Sequence, residues 1–89
     1  MTLNELLKMK IKHLYSLKTN LEGFNPYRTL ESTNNTKASA RMLSVDIIDL
    51  LDVMRWMPDC NISDEKYHEI VLKVRETRQA IENYKFSEV

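Results

Sequence analysis

Cys60 is the only thiol in the chain, and His13 and His68 are its only imidazoles. Nucleophilic chemistry would need one of these held by a base and a third, orienting group. The spacing does not supply that set. Cys60 follows the end of a helical stretch and stands beside Asp59, where a negative helix terminus disfavours the thiolate. Glu65 and His68 have the Glu-x-x-His spacing that puts two ligands on one helical face in di-iron bundles. Such sites need a second copy of the motif and further glutamates on facing helices. The sequence has one copy, and its glutamate belongs to a first turn. Asp46, Asp49 and Asp52 advance around a helix by about 60° per step, so the three cannot converge on one ion. With a single glycine there is no glycine-rich phosphate loop. The sequence therefore predicts no enzyme: no catalytic residue, no metal site and no cofactor.

The cations offer a different chemistry. Lys8 and Lys12 are one helical turn apart with Tyr15 beyond them, and together with Arg28 they form a candidate anion-binding set, for nucleic acid or a small phosphorylated ligand. Between Leu6 and Leu21 there is no carboxylate, so Lys8, Lys10 and Lys12 lack local i,i+4 partners. Their other use is a solvated face whose partners lie in an acidic stripe farther along, where Asp49 is expected to accept a lysine from the first helix or from a neighbouring subunit. Charge is divided to match: residues 1 to 41 carry seven cations against three carboxylates, a net +4, and the remainder −4. A total of zero opposes bulk phosphate-backbone binding, which rests on many cations on one face. The segment from Asn34 to Met57 also lacks the short helix, turn and second helix of a helix-turn-helix.

The stretch that must position everything else is Leu43 to Met57. At helical spacing Leu43, Ile47, Leu50, Leu51, Met54 and Met57 form one broad apolar face. On the opposite side Met42, Val45, Val53 and Trp56 alternate with Asp46, Asp49 and Asp52. A helix with two apolar stripes needs covering on two sides, by helices of its own chain or by one of them and a partner. Met42, Val45, Asp49, Val53 and Trp56 are accordingly the candidate partner-binding residues, with Trp56 as anchor.

The flanking elements read as helices. Thr2 and Glu5 have capping-box spacing, and the first helix is expected over residues 3–21, ending at Gly23 in a left-handed cap. Residues 24–36 read as a loop with one short helical turn after Asn25 and Pro26, pinned by Phe24, Tyr27 and Leu30, and ending in a flexible polar link. Tyr27 and Arg28 are loop candidates for contacting a partner. The second helix is expected over 37–57, with Thr36 as cap and Pro58 as stop. Ser63 caps a third helix over 63–85 that carries Tyr67, Ile70, Val71, Val74, Ile81 and Tyr84, and Phe86 to Val89 form a frayed tail.

With 89 residues, 43% hydrophobic and 29% charged, one glycine and two prolines, the chain reads as one all-α domain, residues 1–89. The expected architecture is a three-helix bundle built on a long antiparallel helical hairpin, oligomeric as a homodimer or higher. The lone cysteine, the start without a signal-peptide pattern and the lack of a long apolar run predict a cytoplasmic protein with no membrane contact. The sequons at Asn34 and Asn61 are then chance matches. The functional expectation is a small non-enzymatic protein-interaction module that binds and modulates, inhibiting or regulating, another protein. The alternative is the nucleic-acid or phosphorylated-ligand binder built on Lys8, Lys12, Tyr15 and Arg28.

Overall fold

A computed structural model describes residues 1–60 and 62–86; the Asn61 sequon and the last three positions of the tail lie outside the described residues. The fold is all-α, with helices α1 (Leu3–Glu22), α2 (Leu30–Arg55) and α3 (Asp64–Glu82), and no strand among the described residues. Each helix packs against the other two.

The core is a row of side chains repeated at heptad spacing. Helix α1 buries Leu7, Leu14 and Leu21, and α2 buries Thr33, Ala40, Ile47 and Met54 with Ser44 and Leu51 between them. Helix α3 adds Val71, Val74, Thr77 and Ile81. Small and hydroxyl-bearing residues, Thr33, Ala40, Ser44 and Thr77, fill one end of this seam. Their hydroxyls donate to carbonyls one turn back, Thr33 to Thr29, Ser44 to Ala40 and Thr77 to Lys73, at 2.7–2.9 Å. No buried polar side-chain atom among the described residues lacks a partner, so the desolvation cost of these positions is met locally. The radius of gyration is 14.8 Å and the long dimension 52 Å. A compact chain of this length would have a radius of about 12 Å. The excess follows from a core one row thick, which covers α2 on one side only.

Helix α2 starts seven residues before the expected Lys37. Thr29, not Thr36, is its cap: Thr29 Oγ1 accepts from the Ser32 amide and Ser32 Oγ accepts from the Thr29 amide, each at 3.0 Å. The polar run from Ser32 to Thr36 is therefore helix and not a link. It is held because Thr33 fills a core position and because Lys37 Nζ reaches the end of α3, donating to the carbonyls of Glu82 at 3.2 Å and Tyr84 at 2.7 Å. The other end of α2 stops at Arg55, two residues short of Met57, with Trp56 as the capping residue.

The connection from α1 to α2 also differs from expectation. Gly23 has φ −76° and ψ 153°, an extended conformation and not a left-handed one, although its amide donates to the Thr19 carbonyl at 3.0 Å. Phe24, Tyr27 and Leu30 do not pin the segment, for all three are exposed. Asn25 instead folds a turn by accepting the Tyr27 amide on its side chain at 3.0 Å and the Arg28 amide on its carbonyl at 3.2 Å. Arg28 is the anchor: Nη1 donates to the carbonyl of Leu21 at 2.8 Å and to the phenol oxygen of Tyr84 at 3.0 Å, and Nη2 donates to the carbonyl of Asn20. Carbonyls left open at the end of α1 are thus satisfied by a guanidinium in place of a glycine cap.

The N-caps read at the other helices are present, although Thr2 and Glu5 form only the forward half of a capping box. Thr2 Oγ1 accepts from the Glu5 amide and Ser63 Oγ from the Lys66 amide, each at 3.1 Å.

Candidate functional site on the outer face of α2

At about 100° per residue, and with Asp49 taken as the reference direction, Met42, Val45, Val53 and Trp56 all fall within roughly 40° of it. Ala40, Ile47, Leu51 and Met54 lie within roughly 40° of the opposite direction. Both α1 and α3 pack on that second side, where these four are fully buried. The first side is left bare: Trp56 is 88% exposed, Met42 70%, Val53 55% and Val45 54%. Asp49 is exposed among them, and exposed Ala38 continues the stripe toward the start of the helix. The stripe from Met42 to Trp56 is about 21 Å long. An exposed apolar row of this length marks an interaction surface more often than a scatter of single residues does.

Its three aspartates have different surroundings. Asp46, on one flank, meets Lys10 of α1 at 3.7 Å. Asp52, on the other, accepts the Tyr67 hydroxyl of α3 at 2.6 Å. That hydrogen bond, with burial second, raises the pKa of the Tyr67 phenol. Arg55 completes this corner, 4.4 Å from the Tyr67 ring centroid and bonded to Asp64 at 2.6 Å. Asp49, expected to take a lysine from the first helix or from a neighbouring subunit, has no cation of its own chain within 4.0 Å among the described residues, since Lys10 goes to Asp46 instead. The flanking carboxylates thus tie α2 to its neighbours, and the central one keeps its charge facing outward.

The cationic set is not one surface. Lys8 and Tyr15 line a groove between α1 and α3, whereas Lys12 is exposed outside it. Arg28 lies at the far end of α1, occupied with carbonyls. The opposite wall of the groove is supplied by Ile62, Lys66, Glu69, Ile70 and Lys73, of which the sequence presents Ile70 as part of the apolar face of the third helix. Their partnership with Lys8 depends on how α1 packs across α3, and no spacing within either helix reports that.

Glu65 and His68 are exposed on α3, and Cys60 is half-buried in the turn before it. Among the described residues no three metal-binding side chains converge, and no helix is long and apolar enough to cross a membrane. No protein-family model matches the chain, and neither does any curated protein or solved structure at a significant level.

Proposed function

We propose that this protein is a small non-enzymatic interaction module that binds and modulates another protein through the outer face of α2, and that the partner presents an amphipathic helix with a lysine or arginine opposite Asp49. The observation that carries this reading is the exposed row Met42, Val45, Asp49, Val53 and Trp56 on a helix whose other side is fully packed. Trp56 serves as the anchor, because a large aromatic group moved from water into a partner's pocket contributes more than its neighbours do.

The symmetry of the row argues for a different protein over a second copy. Val45 and Val53 stand four residues either side of Asp49, and Met42 and Trp56 seven either side. Two copies overlapping along the whole row, parallel or antiparallel, bring one Asp49 against the other in apolar surroundings. Like charges there are strongly unfavourable. A cation at the centre of the partner's stripe removes that cost and fixes the register, as polar core residues do in coiled coils. In this reading α2 and α3 form an antiparallel hairpin whose end pairs, Arg55 with Asp64 and Arg41 with Glu82, hold the docking helix straight. The module works in the cytoplasm, and its assembly is with the partner. The nucleic-acid reading has less support, since Arg28 is engaged within the fold.

The test uses light scattering over a concentration series, followed by titration with two synthetic amphipathic helical peptides that differ only in a central arginine or glutamate. Trp56, the only tryptophan, reports occupancy by a blue shift of its emission. The reading expects a monomer that binds the arginine peptide at least tenfold more tightly, and an Asp49→Arg variant with the reverse preference. A wild-type dimer dissociated by Trp56→Ala, or binding indifferent to the central charge, would overturn it.

A further inference from the structure

We infer that the groove between α1 and α3 is a second binding site, on a different face from α2, for a single-chain anionic amphiphile: a free fatty carboxylate whose chain lies along the groove. The floor is apolar, made by Leu7 and Ile11 of α1 with Ile62 and Ile70 at the start of α3. Leu7 is buried in the core, and the other three pack against it, so the floor is a fixed part of the bundle. The rim is cationic on both walls, with Lys8 on one and Lys66 and Lys73 on the other. The one carboxylate of the lining, Glu69, is held by Lys73 at 3.3 Å, and Lys8 and Lys66 have no carboxylate within 4.0 Å among the described residues. Cations over an apolar slot complement a ligand with a negative head and an aliphatic tail.

From Asn4 to Tyr15 the groove runs along three turns of α1, roughly 16 Å, and its volume is about 260 Å³. An extended polymethylene chain matches a slot that is long, apolar along its floor and cationic only at its edges, because it buries methylenes along the whole length and brings a single charge to the rim. Each methylene taken from water into such a slot contributes about 0.8 kcal/mol. The head then rests among lysines whose stems cover the groove's edges while their charges stay hydrated.

The site is tested by calorimetric titration of the full chain with dodecanoate below its micelle concentration, beside dodecyltrimethylammonium and beside phosphatidylglycerol vesicles. Expected are saturable binding of dodecanoate, at least tenfold weaker binding of the cationic amphiphile, and backbone amide shifts confined to residues 4–15 and 62–73 with Trp56 emission unchanged. A Lys8→Gln, Lys66→Gln double variant, both sites being exposed, keeps the helical circular-dichroism signal and binds dodecanoate on the order of tenfold more weakly. Equal affinity for the two head groups, undiminished binding by the double variant, or binding to vesicles alone overturns the assignment.

Discussion

The guanidinium of Arg28 donates to the phenol oxygen of Tyr84 at 3.0 Å, joining residues 56 positions apart and closing the end of the bundle where α1 stops and α3 finishes. The same guanidinium serves the carbonyls of Asn20 and Leu21 and lies 5.5 Å from the Tyr84 ring centroid. One side chain thus does the work of a helix cap and of an interhelical tie. Replacing it exposes both helix ends at once. Arg28→Ala is expected to lower stability by about 1–3 kcal/mol, and Arg28→Lys to recover little, since an ammonium cannot reproduce the planar fork. Urea denaturation followed by circular dichroism measures both.

Gly23 gives the complementary expectation. Its φ of −76° is open to any residue, and a Cβ there would meet the Thr19 carbonyl oxygen at 3.5 Å, an ordinary contact. Gly23→Ala should therefore be neutral or stabilising by up to about 1 kcal/mol through the unfolded chain. A left-handed cap would instead make the same change costly, so the sign of the measured effect separates the two geometries.

Thr29 and Ser32 satisfy each other's amides at the start of α2. Thr29→Ala is expected to cost about 1 kcal/mol and, more tellingly, to release amide-exchange protection over residues 30–36 before the rest of the helix. Uniform protection loss along α2 would mean that the cap contributes nothing to where the helix begins.

These polar turns are also where the sequence was least legible. The fold class, the three helices and the two flanking N-caps follow from apolar spacing and from Thr2 and Ser63. The early start of α2 does not, because its core position is filled by Thr33 and the next by Lys37, residues that read as surface. Only continuing the heptad from Met54 back through Ile47 and Ala40 reaches Thr33, and that extension requires accepting a hydroxyl as core. The row from Met42 to Trp56 was visible as a second stripe, since it lies on one helix. Whether a helix of the chain itself would also cover it could not be read, because spacing within one helix does not report how its neighbours pack on it. The groove residues on α3 were hidden for the same reason: a site shared by two helices leaves no periodic trace in either.

Two ion-linked contacts set opposite limits of pH. Hydrogen bonding from Arg41 holds the Glu82 carboxyl below its ordinary value, against a smaller opposing effect of burial. A depressed native value means stabilisation that is present above the unfolded glutamate range, near pH ~4.3, and lost as pH falls through the native value. Tyr67 behaves the other way. Its phenol is held above its ordinary value chiefly by the bond to Asp52, so its contribution is present below about pH 10 and lost as pH rises through the native value. Glu82→Gln should flatten the acid limb of a stability profile and Asp52→Asn the alkaline limb. Absorbance at the phenolate band should show Tyr67 titrating late, and less so in Asp52→Asn.

Leu51 and Trp56 differ in what the fold does with comparable apolar surface on one helix. Leu51 is fully buried on the packed side, and Trp56 is 88% exposed on the bare side. Leu51→Ala removes contacts on every side and leaves a cavity, at a cost of about 2–5 kcal/mol. Trp56→Ala removes an indole that touches little within the fold, and the change should stay within about 0.5 kcal/mol. The comparison is sharpest when repeated at two protein concentrations. A monomer with a free outer face gives the same small Trp56 effect at both. If the Trp56 effect grows with concentration, the indole is being covered by another copy, and the charge argument against self-pairing through Asp49 fails with it. The Leu51 effect stays large in either case, because its surroundings come entirely from its own chain.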